Sequence, residues 1–597
     1  MISRASRDVT IFLTACGILC AIYVLATGSP YVLRVLSIAG IYALLAIGYH
    51  FIFGQAGALA LSQGTFMGVG AYASGILSVR YGVPFDVGLP ISIGLPVLLA
   101  AIIAVPVLRL QSHYFALATL IISQIVLLIA VQWVSFTGGA NGIGGVPAIV
   151  LLGRTVPPGW ATFLTVWGFV VLAGLLAARL TRGLIGSAFA VMRVNSTAAA
   201  TLGIDTAWLR FGAFLLSAFF AGLAGALYVH TIRVISPEIL GFSVMVTCLT
   251  IAMLGGRYRI AGAILGAVLV IELPEWFRFL REYYLVGYGV ALLVVVIAAP
   301  DGFVGLLERV AVRLRPRMSL TPPAAAALPA GRISADRAPP ETPLLQLTDI
   351  EKHFGGVRAL DHVSLAIRPG EILGMIGPNG SGKTTLINIV TGLYQPEGGR
   401  VVFDGSDITR RRPHQIARQG IARTFQTVAL VDEMTALDNV AVARGSRRLG
   451  FWQALVAPLS DPALRTARAE AMALLTLIGA ETIAMMPCGT LAYGWRRRVE
   501  IARALALEPR LLLLDEPAAG LNETEQADLA RRLRQVAAAG CTLLVIEHNM
   551  LFLAPLADRF ICLDYGEVIA EGTPAEVQSD RKVVEAYLGR GAAAALP

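Results

Sequence analysis

Three short stretches carry residues whose types and spacing suit phosphate chemistry. In GPNGSGKTT, the residues Gly377, Pro378, Asn379, Gly380, Ser381, Gly382, Lys383, Thr384 and Thr385 fit the loop pattern G-x-x-x-x-G-K-[ST]. Glycines in such a loop let backbone N–H groups curl round a triphosphate, Lys383 reaches the β- and γ-phosphates, and the Thr384 hydroxyl can hold Mg²⁺. In LLLLDEP, Asp515 ends an apolar run and supplies a carboxylate for Mg²⁺, while Glu516 can polarise an attacking water. In LLVIEHN, His548 closes a second apolar run and could contact the γ-phosphate, although a lone histidine is more often structural.

These side chains need a particular scaffold. Apolar EILGMIG before the loop reads as a buried strand and TTLINIVTGL after it as a helix, so the helix N-terminus with its unpaired N–H groups points at the anion. An acidic pair at the C-terminal end of a strand lies where open α/β sheets bind ligands.

Composition divides the chain. It has 597 residues, 56% of them hydrophobic and only 15% charged, which is membrane composition. Met1 to Pro300 holds long apolar runs and no lysine, whereas Leu344 onward reads as a soluble α/β domain. The net charge of +9 comes mainly from arginine. Clusters such as Arg410 to Arg412 lack interleaved aromatics, so they read as solvated surface and exclude nucleic acid as a partner. Six scattered cysteines with no C-x-x-C pair imply a reducing compartment for the soluble half.

Apolar runs lie at Val9–Gly28, Val32–Phe53, Ala56–Val79, Phe85–Leu108, Tyr114–Ser135, Ala161–Leu180, Leu209–Thr231, Gly241–Leu254, Ile260–Phe279 and Tyr284–Ala299. They predict an all-α polytopic domain of about ten transmembrane helices embedded in membrane lipid. With the N-terminus inside, Arg109, the group Arg179, Arg182 and Arg193, and the pair Arg257 and Arg259 fall in interior loops, as arginine bias requires. An even count then returns the chain to the cytoplasm at Arg309 to Arg317. Glycines crowd Ala56–Val79, and Gly262 and Gly266 form a G-x-x-x-G, a pattern of close helix packing. Ser62, Gln63, Thr65, Gln124 and Glu272 are costly in hydrocarbon and should face the bundle interior, more for interhelical bonds than for substrate. The loop Thr137 to Pro147 lies on the outer side as flexible linkage or part of a mouth. VNSTAAATLGI, Val194 to Ile204, reads as a short cytoplasmic helix stopped by Gly203, a docking element for a motor domain. The expected domains are therefore a permease over 1–310, a Pro/Ala-rich linker over 311–343 and a P-loop NTPase over 344–597.

The order of GPNGSGKT, ARTFQ, LAYGWRRRVEIARAL, LLLLDEPAAGLN and His548 resembles an ABC-transporter ATPase. Within that superfamily, GLYQPEGGRVVFDGSDIT, GIARTFQ and GEVIAEGTPAEV followed by VVEAYLG are similar to the ATP-binding subunits of branched-chain amino-acid importers. FGQAGALALSQGTFMGVGAYA, YFALATL and TGGANGIGG resemble a permease subunit of the same systems.

The resemblance implies roles residue by residue. Phe354 would stack on adenine, Gln426 would bridge Mg²⁺ and the membrane domain, Glu516 would be the catalytic carboxylate and His548 the switch histidine. Ala492, Tyr493 and Gly494 would complete the ATP site of a partner ATPase in trans. Trp495 departs from the family's glutamine, and Asn195, Ser196 and Thr197 stand where an acidic residue is usual in the docking loop. The implied whole is an ATP- and Mg²⁺-dependent importer of branched-chain amino acids in the bacterial inner membrane, with a cytoplasmic ATPase. Its partners would be a second permease, a second ATPase or a second copy of this chain, and an extracytoplasmic solute-binding protein. Related systems carry urea, amides or aromatic acids; an exporter or a non-transporting regulatory ATPase are the more distant alternatives.

Overall fold

The computed structural model describes residues 29–110, 112–181, 183–277, 283–298, 302–306, 342–445 and 462–588. The expected span at Val9–Gly28 and nearly all of the linker lie outside them. The chain forms two compact units, Met1–Arg182 with Ala207–Met318, and Gly183–Thr206 with Ser319–Pro597.

The principal helices in chain order are α1 (Pro30–Tyr49), α2 (Gln63–Tyr81), α3 (Phe85–Val107), α4 (Ser112–Gln132), α5 (Trp160–Leu180), α6 (Gly183–Val194), α7 (Ser196–Thr201), α8 (Thr206–Ile232), α9 (Phe242–Gly255), α10 (Ile260–Trp276) and α11 (Tyr284–Ala298). Among the described residues five helices are long and apolar enough to cross a membrane, or six if α9 and α10 make one bent span. The expectation of about ten is not confirmed among the described residues, where two of the expected runs depart from single straight helices. Helices α9 and α10 meet at 119°, with a turn where a Cβ on Gly262 would lie 2.5 Å from the Gly255 carbonyl oxygen. The run at Ala56–Val79 is not one helix either. Helix α1 ends in a π-helical turn, His50–Gln55; Gly57 then takes φ +69°, and regular structure resumes only at Gln63.

Glycine does serve close packing in this unit: a Cβ on Gly70 would lie 2.7 Å from the Gly222 Cα, so α2 and α8 approach backbone to backbone. Gln63 is buried and bonds across the bundle, its Nε2 donating to the Leu45 carbonyl at 3.1 Å and its Oε1 accepting from Ser217 Oγ at 2.7 Å. Gln124 departs from expectation. It is exposed on α4, on the side where Ile121, Ile125 and Leu128 are also exposed, because that side of the helix is apolar and faces away from the bundle. The loop after Thr137 is ordered rather than free linkage: Ile143–Gly144 pairs antiparallel with Val234–Ile235, and His230 Nδ1 donates to the Pro147 carbonyl at 2.9 Å.

The second unit is a two-sheet α/β domain. Strands β1 (Leu345–Phe354), β2 (Val357–Ile367), β3 (Ile372–Ile376), β4 (Gly398–Phe403), β5 (Ser406–Asp407), β6 (Ile421–Arg423), β7 (Leu511–Asp515), β8 (Thr542–Ile546), β9 (Arg559–Asp564) and β10 (Glu567–Gly572) build it. An antiparallel sheet runs β2-β1-β4-β5, and a larger sheet runs β6-β7-β8-β3-β9-β10, parallel except for its last pair. Strands β3, β7 and β8 are buried along their whole length, which is why each reads as an unbroken apolar run. Helices α12 (Lys383–Val390), α13 (Pro413–Gln419), α14 (Ala436–Gly445), α15 (Pro462–Leu477), α16 (Tyr493–Leu505), α17 (Glu523–Ala538), α18 (Pro574–Ser579) and α19 (Arg581–Leu588) complete it.

Helices α6 and α7 belong to this second unit although they interrupt the apolar runs in sequence. Asn195 caps α7, its Oδ1 accepting from Thr197 N at 2.9 Å and Ala198 N at 3.0 Å. Asn and Asp cap about equally well, so the missing acid in this loop costs the helix little. Arg418 on α13 donates to the Gly203 carbonyl at 3.1 Å, Arg193 pairs with Glu433 at 3.2 Å, and His414 stands 3.5 Å from Asp205.

Candidate nucleotide site

Strand β3 delivers the phosphate loop. Gly382 takes φ +102° as the residue before α12, with Ala359 of β2 packed so close behind it that a Cβ would strike the Ala359 carbonyl oxygen. The loop therefore has its N–H groups at the start of an eight-residue helix. Lys383 Nζ is turned onto the loop itself, donating to the carbonyls of Gly377 at 2.7 Å and Pro378 at 2.8 Å and approaching Ser381 Oγ at 3.3 Å. Burial pulls its pKa below the usual lysine value. Asn379, Gly380 and Thr384 are exposed, Pro378 and Thr385 are partly so, and Ser381 is buried.

Strand β7 delivers the acids. Asp515 is buried; that burial raises its pKa, against the pull of Arg423, whose Nη2 lies 3.4 Å from Oδ2. Glu516 has φ +49°, an uncommon backbone state for a non-glycine residue and one that turns its side chain out of the strand. Gln426 Nε2 donates to Glu516 Oε2 at 3.2 Å, and His548 Nδ1 stands 3.9 Å from Glu516 Oε1. Gln426, Glu516 and His548, spread over more than 120 positions, are thus brought to one spot by three loops at the end of the sheet. Phe354 lies at the end of β1, half exposed, edge-on to Tyr394 with ring centroids 5.3 Å apart. No hydrogen bond or ring contact among the described residues ties it to the phosphate loop.

At the start of α16 Ala492 and Tyr493 are exposed and Gly494 is partly so, and Ala492 supplies no side-chain cap. The neighbouring Trp495 is half-buried, with the Arg498 guanidinium 5.4 Å from its ring centroid.

Sequence reasoning missed two residues here. Arg497 is fully buried, and its guanidinium donates to the carbonyls of Phe425, Asp515 and Glu516 and pairs with Glu500 at 2.8 Å. Its only sequence signal was the Arg-Glu spacing of three on an otherwise recognised helix. Tyr587 on α19 accepts a hydrogen bond from Gly377 N at 2.8 Å, so the far C-terminal helix buttresses the first residue of the phosphate loop. Nothing in the local sequence announces that contact.

The comparisons agree with this geometry. Residues 31–299 match the family described as "Branched-chain amino acid transport system / permease component", residues 360–519 match "ABC transporter", and residues 567–593 match "Branched-chain amino acid ATP-binding cassette transporter". The high-affinity branched-chain amino acid transport ATP-binding protein BraF of Pseudomonas aeruginosa is 40% identical over 252 residues, 41% of this chain and 98% of that protein. Its counterpart LivG of Escherichia coli is 39% identical over 253 residues, again 41% of this chain and 98% of that protein. The chain belongs to the branched-chain amino acid ABC transporter family. It differs from the individual subunits in fusing permease and ATP-binding parts, and its soluble unit is an ABC ATPase whose hydrolysis is coupled to transport. Among solved structures, a nucleotide-free ATP-binding cassette from an ABC transporter is 34% identical, covering 42% of this chain and 100% of that one, with a TM-score of 0.38.

Proposed function

We propose that this chain is part of an ATP-driven importer of branched-chain amino acids in the bacterial inner membrane, with its ATPase unit in the cytoplasm. One observation carries the reading: the permease segment and the ATP-binding segment each match the branched-chain transport system, independently, within one polypeptide.

The residues present suit Mg²⁺-ATP. Thr384, Gln426 and Asp515 offer a hydroxyl, an amide oxygen and a carboxylate, the hard oxygen donors Mg²⁺ takes, and would hold the ion together with the phosphates. Bound there, the ion would neutralise charge on the β- and γ-phosphates. The chain's own groups do the rest. Lys383 exchanges the carbonyls of its loop for phosphate oxygens, and the half-exposed Phe354, with the Lys352 ammonium 5.3 Å from its ring centroid, offers its ring to adenine. Glu516, steadied by the Gln426 amide, accepts the proton of the attacking water, and His548 beside it contacts the γ-phosphate.

The exposed, uncapped start of α16 at Ala492 to Gly494 is a donor set for phosphate that this chain's own site does not use. It would complete the site of a second ATPase subunit, or of a second copy of this chain. A second permease and an extracytoplasmic solute-binding protein would complete the transporter. Helices α6 and α7, held by Arg418 and Arg193 contacts, would carry ATPase motion to the permease.

Uptake of labelled leucine, isoleucine and valine into vesicles bearing the assembled transporter tests the reading. Glu516→Gln should lower uptake and ATPase turnover together by about 10²–10⁴-fold. ATP hydrolysis without vectorial uptake would mean a non-transporting ATPase, and uptake of urea, amides or aromatic acids in place of leucine would replace the cargo.

A further inference from the structure

Two helices of the permease unit begin against one another. Helix α2 starts at Gln63, after the break at 57–62, and α9 starts at Phe242, after the short turn Pro237–Leu240. A Cβ on Gly64 would lie 3.2 Å from the Gly241 carbonyl oxygen and 3.5 Å from the Val244 Cβ; one on Gly68 would lie 3.3 Å from the Ile239 Cγ2; one on Gly75 would lie 3.7 Å from the Ile235 Cγ2. Segment 235–241 therefore runs antiparallel beside α2 and sets the first turn of α9 next to the first turn of α2. Each first turn carries backbone N–H groups without intrahelical partners, and neither helix has a side-chain cap. Helix ends of this kind, placed inside a membrane bundle, attract anionic groups of a cargo.

A second observation points to a ligand. Ser62 and Thr65 are each 1% exposed, yet among the described residues neither hydroxyl has a hydrogen-bond partner. Ser62 is the N-cap residue, so its Oγ lies at the helix end, and Thr65 is on the first turn. The Leu61 carbonyl, to which Thr65 would ordinarily turn, receives the Ser123 hydroxyl at 3.0 Å instead. Tyr72, seven residues beyond Thr65 and on the same helix face, is buried too, and its hydroxyl is also unpartnered among the described residues. Long side chains on a helix lean toward its N-terminus, which directs Tyr72 back toward that first turn. Three unpaired hydroxyls on one face of a buried helix, beside two uncapped helix ends, form a set of donors with nothing to receive them. Meanwhile Gln63 locks the same turn to α1 and α8 through its bonds to Leu45 and Ser217.

We propose that the paired starts of α2 and α9, with Ser62, Thr65 and Tyr72, form the transit site that takes the α-carboxylate of an amino-acid cargo inside the permease. The assignment rests on the amino-acid reading of the cargo given above. All its polar groups can donate hydrogen bonds, which suits a carboxylate, and Val244 beside Gly64 offers an apolar wall for an aliphatic side chain.

The test is labelled-leucine uptake by the complete transporter in proteoliposomes, fed by its binding protein. Ser62→Asp places a fixed carboxylate where the cargo's should sit, and Ser62→Asn is its uncharged control of the same shape. The aspartate variant should lose at least about a hundredfold in uptake through like-charge repulsion, while the asparagine variant loses less than about tenfold. Thr65→Val, nearly isosteric, should raise the half-saturating concentration of loaded binding protein about tenfold, and it reports independently if the aspartate variant fails to assemble. Equal uptake by the Ser62→Asp and Ser62→Asn variants, or a Thr65→Val variant that behaves as wild type, overturns the site while leaving the cargo reading intact. A wild-type transporter that takes up no leucine, isoleucine or valine overturns the cargo reading and this ligand with it.

Discussion

Arg497 shows how one side chain can organise the candidate nucleotide site from beneath it. Three successive arginines, Arg496 to Arg498, look alike in sequence, but the helix turns them about 100° apart and sends them to different partners. Arg496 meets Asp432 at the surface and Arg498 reaches Asp528, whereas Arg497 enters the core. There its fork spans the carbonyls of Phe425, next to Gln426, and of Asp515 and Glu516, so α16 and the two loops that carry Gln426 and Glu516 share one guanidinium. Lysine keeps the charge but not the planar fork. Arg497→Lys is therefore expected to lower ATPase kcat by about 10- to 100-fold while the KM for ATP shifts less than about threefold. Steady-state kinetics on the assembled complex, with thermal unfolding as a folding control, checks this positioning role. The phosphate loop, Asp515, Glu516 and His548 were legible because each sits in a short motif with its own chemical logic. Arg497 was not, because its partners come from loops more than 70 and about 18 residues away.

At the scale of elements, the two departures from the family pattern have different physical weight. Asn195 caps α7 with two hydrogen bonds, so it supplies what an acidic residue would supply at that position apart from charge. Asn195→Ala should cost α7 about 1 kcal/mol and lower uptake per ATP hydrolysed, whereas Asn195→Asp should behave as wild type. Parallel measurement of uptake and ATPase rate separates lost coupling from lost hydrolysis. Trp495 is the larger departure. It lies one residue beyond the segment Ala492 to Gly494 and stacks with Arg498, which in turn pairs with Asp528 of α17. If this segment completes a second ATPase's site as proposed above, Trp495→Gln should raise ATPase turnover of the assembled complex severalfold, by restoring the side chain the family resemblance leads one to expect there; an unchanged rate removes the idea. The stacking loss itself is small, about 0.5–1 kcal/mol.

At the scale of the molecule, each compact unit holds itself together by its own means. The soluble unit is sewn by arginine, and Asp528 is its clearest knot, receiving Arg498, Arg531 and Arg532. Partial burial works to raise its pKa, but the three guanidinium hydrogen bonds outweigh it and hold the carboxyl well below the ordinary range. A carboxyl with a depressed folded-state pKa contributes stability that is present above its unfolded value, roughly 3.9, and is lost as pH falls through the folded value. Asp528→Asn should therefore destabilise the soluble unit at pH 7 by about 2 kcal/mol. The gap from wild type should close as the pH is lowered below about 4. Thermal unfolding of the full chain in detergent across that range follows it. The apolar unit relies instead on glycine contacts and a few interhelical hydrogen bonds such as Gln63 to Ser217.

The amino-acid sequence by itself determined the composition split, the phosphate loop, the acid pair and the family, because each depends on residues close together in the chain or on bulk polarity. It also placed a short helix after Val194, since capping and a glycine stop are local signals. Tertiary structure alone decided which apolar runs are whole helices. A break such as 57–62 or a 119° bend at Gly255 and Gly262 changes direction without changing hydropathy. It alone brought Gln426, Glu516 and His548 together, hid Arg497 beneath them, and set the unpaired hydroxyls of α2 beside the start of α9. Those contacts join positions tens to hundreds of residues apart, and no local pattern encodes such a meeting.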